Sequence, residues 1–478
     1  MPTVTRAVDE AMGTAYDAMH EVHTLTPAPR TVVPVSQPST DESDNTGTVR
    51  STALFTDQYE LTMLSAALAD GSANTPCSFE VFARRLPGGR RYGVVAGTGR
   101  FLSALSRFRF GEEELDTVSS FLDRTTLDWL SSYRFTGDID GYREGDLYFP
   151  GSPVLSVRGT FAECVVLETL ALSILNHDSA IASAAARMVT SAGDRPLIEM
   201  GSRRTHEEAA VASSRAAYLA GFSATSNLEA VRRHGVPGAG TSAHAFTLLH
   251  TGPDGPDEKA AFAAQVRTLG VGTTLLVDTY DITQGVANAI AVAGPELGGV
   301  RIDSGDLGVL ARQVRQQLDD LGATRTKIVV SGDLDEYAIA ALRAEPVDSY
   351  GVGTSLVTGS GAPTAGMVYK LVAVDDRPVA KRSSHKESRG GRKAATRTTR
   401  DTGTAVEEIV HPLGSAPTVD AGLTAVELSV PMVRGGELVA DRPTLKESRE
   451  LLAGRLVSLP WEGLKLSQGE PALPTRFV

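Results

Sequence analysis

The chain has 478 residues, 41% hydrophobic and 22% charged, with a formal charge of −12. That length predicts two or three domains with an ample core, and the acidic balance argues against a nucleic-acid binder, which needs a basic face. Two cysteines, Cys77 and Cys164, allow at most one disulfide and give no metal-ligand spacing; no apolar run approaches the roughly 18 residues of a membrane helix. With no apolar secretory segment at the N-terminus, the expectation is a cytoplasmic protein whose partners include neither nucleic acid nor membrane.

In chain order, residues 1–50 read as a flexible extension, rich in Pro, Ser and Thr after residue 24. Residues 51–190 form an N-terminal α/β domain. It opens on a helix in "ALFTDQYELTMLSAAL", capped by Thr56 or Asp57. Antiparallel strands follow in "GDIDGYREGDLYFPGSPVLSVRG", then a long helix from about Glu163 to Ser191. From 191 to 367 short strand-like runs alternate with helices: "PLIEM", "AGFSAT", "VPGAGT", "TTLLVDT", "GGVRIDS", "KIVVSGD" and "VDSYGVG". Seven such units predict an α/β fold whose centre is an irregular parallel β/α barrel, with a doubly wound sheet as the alternative. Residues 368–478 read as a C-terminal β-rich region and a terminal helix that together complete the N-terminal domain.

In a β/α barrel the chemistry sits in the loops after the strands. Those positions hold Gly201, Arg203, Arg204 and His206; Thr241 and His244; Asp278, Tyr280 and Asp281; Arg301, Asp303 and Asp306; Ser331 and Asp333; and Gly351, Gly353, Thr354 and Ser355. Singly, each has a plain structural reading. Asp306 and Asp333 suit helix N-caps, worth about 1 kcal/mol; Gly351 and Gly353 suit a turn; His244 suits a helix start. Jointly they describe anion handling. "SYGVGTS" resembles a phosphate turn, Arg203 and Arg301 can grip a carboxylate or phosphate with two N–H groups, and the aspartates suit ribose hydroxyls or Mg²⁺ waters. No strand-end lysine supports a Schiff base, and no P-loop pattern is present.

Seven ordered segments, "TDQYELTM", "EMGSRRTHEEAA", "GTSAHAF", "LLVDTYD", "VRIDSGDL", "VVSGDLDE" and "GVGTSLVT…MVYKLVAV", resemble nicotinate phosphoribosyltransferase over roughly residues 51–460. The resemblance implies a type II phosphoribosyltransferase fold and a homodimer with shared active sites. It implies transfer of a phosphoribosyl group from 5-phosphoribosyl 1-pyrophosphate to nicotinate, with ATP as co-substrate and Mg²⁺ as cofactor, in the first step of NAD salvage from nicotinate. By the same resemblance ATP phosphorylates His244; Tyr59, Thr241 and Arg301 bind nicotinate; and Thr354 binds the phosphoribosyl phosphate. Gly353, Asp333 and Arg203 fall on the phosphoribosyl pyrophosphate side, with Asp57, Gly240 and Asp303 lining the same site.

The chemistry suits these assignments. Asp303 can stabilise an oxocarbenium-like state, Mg²⁺ neutralises departing pyrophosphate, and Tyr59 with Arg301 can orient the pyridine ring. Histidine carries a labile phosphoryl group near neutral pH, and backbone N–H groups at a helix start stabilise it. Ala245 departs from the serine expected after the histidine. The basic run "KRSSHKESRGGRKAATR" is expected to be a solvated loop, with Lys381, Lys386, Arg392 and Lys393 reaching ATP phosphates as the alternative. The rival functions are a phosphoribosyltransferase for nicotinamide or quinolinate, a sugar-phosphate isomerase or aldolase, and an inactive homologue.

Overall fold

A computed structural model of the chain describes residues 50–381, 388–439 and 443–478. The predicted extension, apart from Arg50, and Lys386 lie outside the described residues. Six of the seven strand-like runs form one wholly parallel sheet, in the order Thr274–Leu276, Gly299–Ile302, Lys327–Ser331, Ser349–Val352, Leu197–Glu199, Ala224–Thr225. The seventh, "VPGAGT", joins through a single parallel bridge between Thr225 and Gly238. The sheet curls as an irregular barrel, its two edges being the 274–276 strand and the 238 bridge. Leu275, Val300, Ile302, Ile328, Val330, Tyr350 and Val352 are buried, as continuous apolar runs covered on both faces require.

A second, seven-stranded sheet is antiparallel throughout. Pro76–Ala83 lies between Met367–Val374 and the central strand Leu155–Thr160, and Asp138–Tyr142 carries the sheet on to Ser429–Arg434. Strands from before and after the barrel therefore interleave. Lys393–Arg400 and Ala405–Pro412 belong to a separate four-stranded sheet.

The predicted long helix divides into Phe161–Val165 and Glu168–Ala192. Together they are long and apolar enough to cross a bilayer, which qualifies the expectation from sequence that no run approaches that length. Its burial is that of a core helix: Leu170, Ala171 and Leu175 pack in the core of the antiparallel sheet, and Ile181, Ala185 and Met188 in that of the barrel. The terminal helix Leu445–Ser458 places Leu452 and Leu456 in the barrel core, and its Arg455 pairs with Asp146 of the N-terminal domain at 2.6 Å.

Candidate active site

The strand ends of the barrel are joined side by side by polar contacts. His244 begins the helix His244–Leu249, and its Nδ1 shares a 3.1 Å hydrogen bond with the Thr279 hydroxyl. Its Nε2 faces Asp278 Oδ1 at 3.7 Å. The Asp278 side chain is 1% exposed, and Oδ1 has no hydrogen-bond partner among the described residues; Oδ2 accepts from the Asp303 N–H at 3.0 Å and the Ser304 hydroxyl at 2.8 Å. Asp303 in turn accepts from the Ser331 hydroxyl. The His244 side chain is 40% exposed, so this chain of contacts leads from a buried carboxylate to an imidazole open to a ligand. His244 stands at a helix start, as the sequence suggested, and its ring is fixed there by the bond to Thr279.

Across the sheet, the turn after Ser349–Val352 meets the turn after Leu197–Glu199. A Cβ at Gly201 would lie 2.3 Å from Val357 Cγ1 and 3.0 Å from the Gly353 carbonyl, and one at Gly351 would lie 2.7 Å from Met200 Sδ. A side chain at either position would force Val357 or Met200 to shift. Glu199, fully buried, secures the junction: it accepts from the Gly201 N–H, the Ser214 hydroxyl and the Thr225 hydroxyl. Arg203, on the 3₁₀ turn Ser202–Arg204, and Thr354, at the start of Thr354–Val357, stand exposed on either side. Arg301 projects from its strand with a buried Nε that has no partner among the described residues. A buried N–H left unmatched is costly.

The plain readings prove right for some residues and fail for others. Asp306 caps its helix by accepting from the Val309 N–H at 3.1 Å, and Asp281 caps the next by accepting from the Gln284 N–H at 2.8 Å. Asp333 is no cap: Asp335 accepts from Tyr337 and Ala338. Asp333 instead sits exposed at φ 46°, in the left-handed region that costs a non-glycine residue energy and recurs at functional sites. Thr241 and Gly240 are exposed in the turn before His244, and a Cβ at Gly240 would meet nothing within 4 Å.

Two predicted groups are not brought to this rim. Asp57 is the N-cap of Gln58–Asp70 but makes no capping hydrogen bond. Tyr59, on that helix, is 46% exposed and neighbours Glu168, Glu60 and Thr169 of the N-terminal domain. Partial burial, followed by those nearby carboxylates, pushes its phenol up to about 12. Nor is the basic run uniformly a solvated loop: Lys393 is spent internally, pairing with buried Glu80 at 2.8 Å and donating to the Arg389 and Gly391 carbonyls. Arg392 pairs with Asp376 at 3.3 Å. Glu199 and Thr279 escape sequence reasoning; the only signal was a carboxylate closing an apolar strand and a hydroxyl beside a strand-end aspartate.

A parallel β/α barrel whose strand ends carry a histidine, an unmatched arginine, carboxylates and close-set glycine turns is an enzyme scaffold for phosphorylated, anionic substrates. Residues 54–176 match the nicotinate phosphoribosyltransferase N-terminal domain, and residues 196–408 match the nicotinate phosphoribosyltransferase family. The chain is 69% identical over 428 residues to nicotinate phosphoribosyltransferase pncB1 of Mycobacterium tuberculosis (strain ATCC 25618 / H37Rv), covering 89% of this chain and 95% of the relative. It is 38% identical over 338 residues to the nicotinate phosphoribosyltransferase of Bacillus subtilis (strain 168), covering 68% of each. The human nicotinic acid phosphoribosyltransferase structure aligns with a TM-score of 0.74 and 28% identity, over 87% of this chain and 96% of that one. The chain belongs to the nicotinate phosphoribosyltransferase family.

Proposed function

We propose that the protein transfers the phosphoribosyl group of 5-phosphoribosyl 1-pyrophosphate to the ring nitrogen of nicotinate, yielding nicotinate mononucleotide and pyrophosphate. ATP phosphorylates His244 to drive the transfer, which makes the enzyme an ATP-coupled ligase. The observation that carries this reading is the continuous rim from His244 through Asp278 and Asp303 to Ser331, together with family membership. Arg301 binds the carboxylate and selects nicotinate over nicotinamide. The Gly201–Gly353 junction, Thr354 and Arg203 hold the phosphates, and Asp333 takes ribose hydroxyls. Asp303 lies where positive charge develops as the glycosidic bond to pyrophosphate breaks.

Tyr59, remote from the rim in its own chain, serves the site of a second copy, so the working unit is a homodimer with shared sites. Among the described residues no group of three or more His, Cys, Asp or Glu side chains is placed to hold a metal ion. Mg²⁺, which commonly needs only one or two protein carboxylates, enters bound to the phosphates of the substrate. The expected compartment is the cytoplasm.

Product formation with nicotinate, nicotinamide and quinolinate tests this, on wild type and Arg301→Ala. Nicotinate is expected to be strongly preferred, and the substitution to raise its KM tenfold to about a hundredfold, the worth of a lost charge-assisted hydrogen bond. Preference for another pyridine, or an unchanged KM, refutes the assignment.

A further inference from the structure

Glu60 is fully buried, although carboxylates are rarely interior unless partnered. On the helix Gln58–Asp70, Leu61, Leu64 and Ala67 enter the core while Tyr59, the neighbour of Glu60, faces outward. One oxygen of Glu60 accepts from the Thr169 N–H at 2.9 Å and from the Thr169 hydroxyl; the other accepts from the Thr56 hydroxyl. Thr169 is the second residue of Glu168–Ala192, whose N-cap Leu167 offers no capping side chain. Glu60 thus supplies from another helix the acceptor that an unpaired first-turn N–H needs.

Thr169 ties the two helices together: its N–H and its hydroxyl both donate to Glu60, the residue next to Tyr59 on Gln58–Asp70. Burial of Glu60 raises its affinity for a proton, and the donors around it oppose that rise. An apolar residue at this place would pack the helix against the core without orienting it about its axis; a carboxylate with three donors fixes that rotation.

We infer that Glu60 is a positioning residue: through Thr169 it sets the orientation of Tyr59 and hence the affinity for nicotinate. This rests on the reading that Tyr59 contacts nicotinate. The direct test is a double-mutant cycle on the full chain, measuring KM for nicotinate, KM for phosphoribosyl pyrophosphate, and Tm for Glu60→Ala, Tyr59→Ala and the pair, with Thr169→Val and Glu60→Gln alongside. Loss of a hydrogen-bonded charge predicts about a tenfold rise in nicotinate KM for Glu60→Ala. Phosphoribosyl pyrophosphate KM is expected to stay within about twofold, with no further rise on adding Glu60→Ala to Tyr59→Ala. Glu60→Gln, which keeps an acceptor for Thr169, restores the wild-type KM. If Glu60→Ala fails to fold, Thr169→Val removes the hydroxyl bond while keeping the N–H bond to Glu60, and is expected to raise nicotinate KM by a smaller factor. A change in Tm alone, or additive effects in the cycle, overturns the positioning role. An unchanged nicotinate KM in Tyr59→Ala overturns the assignment beneath it.

Discussion

The turns "GAGTS" at 238–242 and "GVGTS" at 351–355 share a sequence pattern and differ in what surrounds them. Gly351 is buried, and a side chain there would press on Met200 Sδ at 2.7 Å and on Ser331 Cβ at 3.1 Å. Gly240 is exposed, with nothing within 4 Å of the position of its Cβ. The first glycine of each turn is crowded, Gly351 by Met200 and Gly238 by Val231 Cγ2 at 3.2 Å, whereas packing makes no such demand at Gly240. A glycine that the fold does not require, immediately before Thr241 and close to His244, is better explained by what approaches it from outside.

Substitution at the two glycines sharpens this contrast most. Gly351→Val is expected to destabilise the protein by about 3 kcal/mol, the upper end of overpacking costs, as measured by urea unfolding. Gly240→Val is expected to change stability by less than about 0.5 kcal/mol while lowering kcat/KM for nicotinate. Equal stability losses would mean that both turns are merely structural.

A smaller effect concerns pH. A phenol with its pKa pushed up to about 12 keeps its proton as pH rises, so donation from Tyr59 persists through the alkaline range. At pH 10 only about one phenol in a hundred is ionised, and the ratio of nicotinate KM between wild type and Tyr59→Phe should stay constant from about pH 8 to 10. A ratio that falls toward one over this interval would show an ionising Tyr59.

Much of the barrel was legible because its strands are buried on both faces and read as short apolar runs ending in Gly, Asp or Arg. The rim was legible as a set for the same reason. What stayed hidden depended on burial and on distant neighbours. Asp278 and Glu199 look like ordinary strand-end acids until their burial makes them the joints of the rim. Lys393 looked like one cation in a charged run, yet its partner Glu80 lies 313 residues away in sequence. Asp333 and Asp335 stand two apart before one helix, and only the backbone shows that the second is the cap. Tyr59 carried a family motif, and its distance from the rim within its own chain could be read only from the fold.

The proposed reaction turns on His244, set between Thr279 and the unmatched oxygen of Asp278, accepting a phosphoryl group from ATP. Nicotinate mononucleotide formation with and without ATP, on wild type and His244→Ala, tests it most directly. ATP is expected to stimulate the wild type and to leave the variant at its ATP-independent rate. Equal stimulation of both would remove His244 from the mechanism.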